Sequence, residues 1–532
     1  MNNKKTIQFV IVGIIIVATI IGAIVWRGTY SLGVPDSKFD DLLFYNCVKE
    51  SVGENGYDGN GIISETALNA ITLLDCHSQE IESVKGLELM PNLTSLNLHG
   101  SHISSIDLSH NTSLKELNIG ATKVLATLDV SHNPALEYLY ARDNRLTSID
   151  VTNNPELTYL DLGNTLTENG NRIPAVDLTH NAKLEHFNIS NNDANGLNLG
   201  GNPELLYVDA SNNKLIGTLD FTLNTKLQTI KLANNDIEAV VVSNNLELIN
   251  LDVGGNELTA IDVTRNDKLQ HLNLELNHIS ELNLGGNPAL ERFSAGSNNL
   301  HGELNFVHNP NLKTVDLKNN SIDGVVVSGN PALESLILID NNISSIDITN
   351  NPKLLSFDIG NHDGIGHNSI TTVDTSHNPL LEFFSTSLNP VTSIDFSQNP
   401  ALKSVNMHNN KLTSIDVTLN PELELLYVGG NELTSIDVTH NPKLKKLDVR
   451  YNYLDSINTS QNNLLEEFQF DPQRSSSNDP VPADIDNNNN NNNQNIDKNP
   501  KTGTLQIIIV CIVAVVALFV GLCYYNREKT SK

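Results

Sequence analysis

Positive charge is scarce in this 532-residue chain. Lysine and arginine total 33 against 62 aspartates and glutamates, which gives a formal net charge of −29. Such a field disfavours nucleic acid and anionic lipid as partners, because both are themselves negative. We therefore expect no nucleic-acid partner. A solvated acidic surface is the simplest reason for the charge, and a basic or metal-bridged partner is the alternative.

Sequence patterns of catalytic sites are missing as well. The chain has no HExxH, GxSxG, Walker or Rossmann glycine pattern, and each of these patterns serves a defined chemistry. Five of its 16 histidines fall in recurring Ser-His-Asn and Thr-His-Asn turns, as at His110 and His440. We expect a protein that is not an enzyme and that needs no cofactor.

Cysteine is rare, with four residues in total. Cys511 and Cys523 lie in an apolar stretch near the C-terminus, whereas Cys47 and Cys76 lie near the N-terminus. None of them has the spacing of zinc ligands. An exported protein could pair Cys47 with Cys76 in a disulfide. Two separately buried thiols are the alternative.

What the chain has in abundance is one short repeated unit. Residues 136–155 read LEYLYARDNRLTSIDVTNNP, and residues 423–442 read LELLYVGGNELTSIDVTHNP. The unit recurs every 21 or 22 residues, except for two steps of 27. A unit this short cannot bury its own apolar side chains, so the units must stack on one another and share a core. The sequence therefore predicts a solenoid.

The first half of each unit has the pattern of a strand. Leu139 and Ala141 alternate with Tyr138, Tyr140 and Arg142, which places the two sets on opposite faces. The apolar set faces the core. The polar and aromatic set faces outward and forms one broad surface when the units stack.

The second half of each unit predicts a turn and a short extended segment. The recurring asparagine, such as Asn144, is expected to turn inward and bond backbone groups that the turn leaves unpaired. Ile149 and Val151 point inward and Asp150 outward, which again is strand periodicity. We expect Ser and Thr hydroxyls or amides to hold the outward carboxylates, with cation binding along their file as the alternative.

The pattern LxxLxLxxNxL resembles the leucine-rich repeat, and the Ile-Asp-Val-Thr-x-Asn-Pro half resembles that of bacterial surface proteins of this kind. The resemblance implies an α/β-type repeat solenoid that is mostly β. Its expected form is a curved horseshoe with a parallel inner sheet, short extended convex segments and a helical N-terminal cap. A protein or glycan ligand is then expected on the concave face.

Tyrosine and arginine mark one part of that concave face. Both are frequent anchors of protein interfaces, and the whole chain has only 12 tyrosines. Each of these side chains taken singly could be an ordinary exposed residue, but their grouping predicts a binding site. The candidates are Tyr138, Tyr140, Arg142, Tyr159 and Tyr207.

The N-terminal region predicts export followed by a cap. Lys4 and Lys5 precede an uncharged apolar run over residues 7–26, which is typical of an export signal. Residues 1–34 are thus a signal peptide or an N-terminal signal-anchor, and cleavage stays open. Residues 35–90 are predicted to form the cap and the first repeat-like strand.

The repeats occupy residues 91–470 and are followed by a linker. Residues 471–498 contain seven consecutive asparagines and little apolar content, which predicts disorder. An apolar membrane-spanning segment at 504–526 and a basic cytoplasmic tail at 527–532 end the chain. Just before the apolar segment stands the pentapeptide Asn499, Pro500, Lys501, Thr502 and Gly503.

This order of pentapeptide, apolar segment and basic tail resembles a Gram-positive cell-wall sorting signal. The resemblance implies that a sortase cleaves between Thr502 and Gly503 and joins Thr502 to peptidoglycan. The common form begins with Leu-Pro, so Asn499 leaves the class of sortase open. The expected protein is a surface-displayed recognition or adhesion protein, with its repeats outside the cell. The alternative is a membrane-anchored, receptor-like ectodomain that no sortase processes.

Two stretches have a weak likeness to metal sites. A Gly-rich stretch near the N-terminus resembles a calcium loop, but Gly56 and Ala67 stand where calcium needs carboxylates. A turn is the better interpretation. His362, Asp363 and His367 lie in one of the two insertions and could hold a metal, although a flexible loop is favoured. We therefore predict no metal site.

Overall fold

The computed structural model describes residues 36–54, 56–58, 61–165, 170–362, 367–476, 479 and 481. The chain divides into two units, Met1–Ala483 and Asp484–Lys532, and every described residue belongs to the first. The predicted export segment, sorting motif, C-terminal apolar segment and tail lie outside the described residues. Within the described part, no helix has both the length and the apolar character needed to cross a membrane.

Two short helices cover the start of the solenoid. Helix α1 spans Leu42–Val52 and helix α2 spans Glu65–Ala70. Asp41 begins α1, because its carboxylate accepts hydrogen bonds from the backbone N–H groups of Leu43 at 2.8 Å and Phe44 at 3.0 Å. These groups would otherwise lack partners at a helix start. A helical cap was predicted here, and it is a minor part of the fold.

The cap is tied to the first rung by a disulfide between Cys47 in α1 and Cys76. The Gly-rich stretch beside it forms a turn, closed by an antiparallel bridge between Tyr57 and Ile63. The Asp58 carboxylate accepts a hydrogen bond from the backbone N–H of residue 62 at 3.0 Å. This carboxylate therefore serves the turn.

The inner sheet has 19 strands, all parallel. Each strand pairs with the corresponding strand of the next rung, so side chains at equal positions form columns. The strands are β1 Leu73–Asp75, β2 Ser95–Asn97, β3 Glu116–Asn118, β4 Tyr138–Tyr140, β5 Tyr159–Asp161, β6 His186–Asn188, β7 Tyr207–Asp209, β9 Thr229–Lys231, β11 Asn250–Asp252, β12 His271–Asn273, β13 Arg292–Ser294, β15 Thr314–Asp316, β17 Ser335–Ile337, β18 Ser356–Asp358, β19 Phe383–Ser385, β20 Ser404–Asn406, β21 Leu425–Tyr427, β22 Lys446–Asp448 and β23 Glu467–Gln469.

The core lies behind this sheet and runs through all the rungs. Except in the last strand, the middle residue of each strand points into it, as Leu139, Leu160 and Val208 do with fully buried side chains. Full burial of such a side chain contributes roughly 1.5–3 kcal/mol. The first and third residues of each strand point the other way, onto the concave face. The apolar alternation in the sequence is thus confirmed.

The inward-turned asparagines that the sequence predicted form a ladder at the turns after most inner strands. In one rung, Asn256 donates from its amide nitrogen to the carbonyls of Leu232 at 3.1 Å and Val253 at 3.0 Å. Its amide oxygen accepts a hydrogen bond from the backbone N–H of Ile237 at 3.1 Å. The side chain therefore satisfies backbone groups of successive rungs.

A second asparagine ladder runs along the opposite side of the core. Its members are mostly the asparagines of the Asn-Pro turns, for which no buried role was predicted. Fully buried Asn266, for example, donates to the carbonyls of Val242 at 3.1 Å and Asn245 at 2.8 Å. Each such residue joins its own rung to the preceding one, so the asparagine is a structural link.

The convex side consists of short extended segments, as predicted. Four of them pair as two small parallel sheets: β8 Ile216–Asp220 with β10 Asp236–Val241, and β14 His301–Asn305 with β16 Ser321–Val326. A 3₁₀ turn, Leu87–Leu89, precedes the second inner strand.

The outward carboxylates of the convex side are held by their own turns. Asp437 accepts hydrogen bonds from the backbone N–H of Thr439 at 2.9 Å and from its hydroxyl at 2.7 Å. These hydrogen bonds hold the pKa of Asp437 below its usual range. The expectation that neighbouring hydroxyls and amides hold this file is confirmed.

The ladder continues a little past the predicted end of the repeats at residue 470. Gln473 donates to the carbonyl of Val449 at 3.0 Å and accepts from the backbone N–H of Leu454 at 3.1 Å. It thereby takes the place of the repeat asparagine. Glutamine is longer than asparagine but has the same amide group, so it can make the same hydrogen bonds. The first residues of the predicted linker thus belong to the last turn of the solenoid.

Candidate binding site on the concave face

Four aromatic rings stack side by side on the concave face, and we call them the aromatic stack. The ring centroids of Tyr140 and Tyr159 are 4.7 Å apart, with an interplanar angle of 37°. Those of Tyr159 and His186 are 4.1 Å apart at 3°, and those of His186 and Tyr207 are 4.2 Å apart at 6°. The Lys231 ammonium lies 5.5 Å from the centroid of Tyr207 and closes the series.

The register of the sheet creates this stack. Tyr159, His186 and Tyr207 are the first residues of β5, β6 and β7 and pair directly with one another. Neighbouring strands lie about 4.8 Å apart, which suits the packing of flat rings. Tyr140 comes from the third position of β4 and reaches the stack from the adjacent column.

The rings turn their faces toward each other along the sheet. The ring planes of Tyr159, His186 and Tyr207 are nearly parallel. Each ring therefore covers the face that its neighbour turns toward it. The ring edges and the tyrosine hydroxyls are what remain for a partner. The stack therefore offers hydrogen-bonding groups on a rigid apolar support.

Burial in the stack shifts the titration of its members. It lowers the pKa of His186 to about 4, so the imidazole is uncharged at neutral pH. It raises the pKa of Tyr159 to about 12. Burial and the nearby carboxylate of Asp209 also raise the pKa of Tyr207. The stack is thus electrically neutral over the physiological range.

Carboxylates lie beside the rings in the adjacent column. The Tyr207 hydroxyl donates to Asp209 at 3.1 Å, and the Lys231 ammonium lies 3.9 Å from the same carboxylate. One oxygen of Asp161 accepts from the backbone N–H of Gly163 at 3.1 Å and from Asn188 at 2.9 Å. Asp161 is only 4% exposed, and burial raises its pKa.

Three of the five predicted site residues meet in the stack: Tyr140, Tyr159 and Tyr207. The other two lie next to it. Tyr138 is 40% exposed, and no ring among the described residues packs against it. Arg142 directs its Nε toward Asp143 at 3.3 Å. The structure thus gathers the tyrosines but ties the arginine to a carboxylate.

His186 is not among the site residues predicted from the sequence. Aligning the repeats would have shown its role, because His186 then stands at the same strand position as Tyr159 and Tyr207 and between them. The places of Lys231 and Asp161 beside the aromatic stack likewise follow from the alignment of the rungs. Their neighbours lie in adjacent rungs, about 20 residues away in sequence.

The two insertions are anchored in the same manner. Thr165 donates from its backbone N–H at 2.6 Å and its hydroxyl at 2.9 Å to Asp143. His362 donates its backbone N–H to Asp340 at 2.6 Å, and its Nδ1 lies 2.6 Å from the same carboxylate. Asp363, the middle residue of the possible metal site, lies outside the described residues. Within the described ranges, no three His, Cys, Asp or Glu side chains converge as metal ligands would.

The similar anchoring of the two insertions belongs to a longer internal repetition. Residues 136–164 read LEYLYARDNRLTSIDVTNNPELTYLDLGN, and residues 333–361 read LESLILIDNNISSIDITNNPKLLSFDIGN. The strands β4 to β7 correspond to β17 to β20. The second set has no aromatic stack: in place of Tyr140, Tyr159, His186 and Tyr207 it carries Ile337, Ser356, Phe383 and Ser404.

A buried charged group lies farther along the solenoid. Asp448 accepts hydrogen bonds from Arg450, through Nη2 at 2.6 Å and Nε at 3.0 Å. The Nε2 of His408 lies 3.2 Å from the same carboxylate. All three side chains are buried. This group holds rungs together and leaves little surface for a ligand.

The chain is similar to solved structures of leucine-rich-repeat proteins. The leucine-rich-repeat ectodomain of a membrane receptor kinase from Arabidopsis thaliana is 19% identical, with 77% of this chain and 57% of that chain covered and a TM-score of 0.61. YopM from Yersinia enterocolitica is 22% identical over 80% and 99%, with a TM-score of 0.54. A leucine-rich-repeat protein of Leptospira interrogans is 18% identical over 76% and 97%, with a TM-score of 0.52.

These similarities confirm the predicted fold: the chain is a leucine-rich-repeat solenoid with a parallel inner sheet and little helix. At such identities they concern the fold alone. No protein-family model and no curated protein sequence matches the chain.

Proposed function

We propose that the protein is a cell-surface recognition protein that binds a protein partner over the aromatic stack. The observation that carries this proposal is the stack itself, with four rings gathered on the concave face of a chain that has few aromatic residues. Aromatic side chains supply much of the binding energy of protein interfaces. The concave sheet is rigid, so binding there loses little conformational entropy.

The internal repetition supports a role in binding over a role in folding. The same frame stands in the second half with serines at 356 and 404, where the first half has Tyr159 and Tyr207. The solenoid therefore does not require rings at these positions. Rings that the fold does not need are best accounted for by a ligand.

A protein partner fits the stack better than a glycan does. Sugars bind aromatic rings mainly through the ring faces, and stacking covers the faces that Tyr159, His186 and Tyr207 turn to one another. Exposed edges and hydroxyls suit the polar groups of a polypeptide. The Arabidopsis ectodomain, which shares the fold, was crystallised in complex with CASPARIAN STRIP INTEGRITY FACTOR 2. That protein ligand is consistent with our proposal.

Replacing Tyr159→Ser together with Tyr207→Ser is expected to weaken partner binding at least about tenfold, on the order of 1.4 kcal/mol. The double change leaves His186 without its ring neighbours, while the serines match those of the second half. Binding of the full chain to arrays of synthetic peptides and oligosaccharides, with dissociation constants for the hits, measures the effect.

The matched control is Phe383→Ala, which removes a ring at the position equivalent to His186, and Asp395→Ala serves as the convex control. Both are expected to leave binding unchanged. Binding that depends on Asp395 but not on the tyrosines would contradict the proposal. So would retention by oligosaccharides alone.

We propose further that the protein is held on the cell wall by a sortase. Support comes from the order of the pentapeptide at 499–503, the apolar run and the basic tail. The alternative is a membrane-anchored, receptor-like ectodomain that is not processed. Either arrangement displays the repeats outside the cell.

Mass spectrometry of the mature protein is expected to find Thr502 as the last residue, joined to a wall peptide. Thr502→Ala removes the residue that would form the new bond, so this variant should stay in the membrane fraction with its C-terminus intact. An intact Lys532 in the unchanged protein would instead establish the receptor-like alternative.

A further inference from the structure

Asp161 is an unusual carboxylate next to the aromatic stack. Its Oδ1 accepts two hydrogen bonds, from Gly163 and Asn188. Its Oδ2 has no hydrogen-bond or ion-pair partner within the described part of the chain, although the residue is 4% exposed. A carboxylate that is taken out of water needs compensation by hydrogen bonds or a cation. Oδ1 is compensated within the protein, and Oδ2 is the oxygen that keeps contact with solvent.

Neither neighbouring cation bonds Oδ2, although the positive charge of Arg142 favours the ionised form of Asp161. Arg142 is paired with Asp143 at 3.3 Å, and Lys231 lies 3.9 Å from Asp209. Asp209 also accepts the hydroxyl of Tyr207, so it is better satisfied than Asp161.

The charge around the stack is negative overall. The inner strands from β3 to β11 place four carboxylates and one ammonium group on the concave face. The carboxylates are those of Glu116, Asp161, Asp209 and Asp252, and the ammonium is that of Lys231. The imidazole of the stack is uncharged at neutral pH, because burial lowers the pKa of His186. An approaching cation therefore meets a favourable field, which also raises the rate of association.

We propose that Asp161 receives a lysine or arginine side chain of the protein partner, whose aliphatic stem lies along the edges of Tyr140 and Tyr159. The inference rests on the proposed function and specifies the chemistry of its partner, a basic polypeptide segment. The cation completes the coordination of Oδ2. The ring edges cover the stem, and the tyrosine hydroxyls accept hydrogen bonds from the same segment.

The test uses immobilised peptides of equal length that carry two arginines, two lysines, two glutamates or no charge in a Gly-Ser background, with a neutral oligosaccharide as a further probe. The full chain is expected to bind the basic peptides preferentially. Asp161→Asn should lose at least about tenfold in affinity for them, because the amide cannot pair with a cation.

Asp358→Asn is the matched control, since Asp358 stands at the equivalent position of the second half, where it accepts the backbone N–H of Gly360 at 3.0 Å. Both variants lose one negative charge, so non-specific attraction to a basic peptide falls equally in both. Asp358→Asn should stay within about twofold of the unchanged protein. Urea unfolding verifies that both variants fold. Should Asp161→Asn unfold, Asp161→Ser replaces it, because Ser294 and Ser385 occupy the same column.

An equal loss in the two aspartate variants would overturn the proposal, because the attraction would then be non-specific. A preference for acidic peptides, neutral peptides or the oligosaccharide would overturn it as well. In that case, binding that still depends on Tyr159 and Tyr207 leaves the recognition function in place. Binding that depends on neither aspartate nor tyrosine removes both proposals.

Discussion

Phe384→Ala is expected to lower the free energy of unfolding by about 3–5 kcal/mol, because the change leaves a cavity in a close-packed core. Phe384 is fully buried at the middle of β19. Its ring centroid lies 5.7 Å from that of Phe357 in the preceding rung and 5.1 Å from that of Phe396 on the convex side. Urea unfolding followed by circular dichroism measures the change.

The control for this substitution is the adjacent residue. Phe383→Ala removes the same side chain from the concave face, where it is partly exposed, and should cost less than about 1 kcal/mol. Hydrogen exchange should show that the loss at Phe384 is centred on the neighbouring rungs, since each rung contacts only its neighbours. Equal effects of the two changes would mean that the core is not packed as described.

Asp448→Asn is expected to lower the free energy of unfolding by about 3 kcal/mol, because it leaves buried Arg450 beside a neutral amide. Burial opposes ionisation of Asp448, but hydrogen bonds from His408 and Arg450 outweigh it and hold the pKa of this carboxyl below its usual range. The carboxylate is therefore stabilising above the unfolded-state pKa of about 3.9. That contribution is lost as the pH falls through the lower pKa of the folded state.

The unfolding midpoints of both proteins at pH 7 and in steps below pH 4 measure this effect. The difference between the unchanged protein and Asp448→Asn should shrink as the pH falls. Asp437→Asn, a change of equal charge on the exposed convex side, should alter the midpoint little. A difference that does not vary with pH would show that the stabilising group is not the ionised carboxylate.

The architecture was predictable from the sequence because the same repeat pattern recurs many times. The alternation of apolar residues at Leu139 and Ala141 indicated the strand and its buried face. The spacing between repeats indicated the length of each rung. The inward role of Asn256 was predictable from its position in the turn. The burial of Asn266 was not, because an asparagine at this turn has the same local pattern in a solvated turn as in a buried ladder.

The site was predictable only in part, for a related reason. Outward positions carry no apolar period, so the tyrosines could be recognised by type but not by contact. The place of His186 between Tyr159 and Tyr207 depends on register between rungs. The burial of Asp161 depends on its neighbours in space, including Asn188 from the next rung. Neither has a local sequence signal.

The two asparagine ladders and the parallel sheet also determine how the protein responds to tension. Their hydrogen bonds run from one rung to the next, as from Asn266 to the carbonyls of Val242 and Asn245. A load along the stacking direction would therefore pull these bonds apart in series, one rung after another, because each ladder or sheet hydrogen bond joins only neighbouring rungs. Each released rung of 21 residues adds about 70 Å of extended chain. If the protein is anchored at the cell surface as proposed, it would thus lengthen stepwise under a pull on its bound partner.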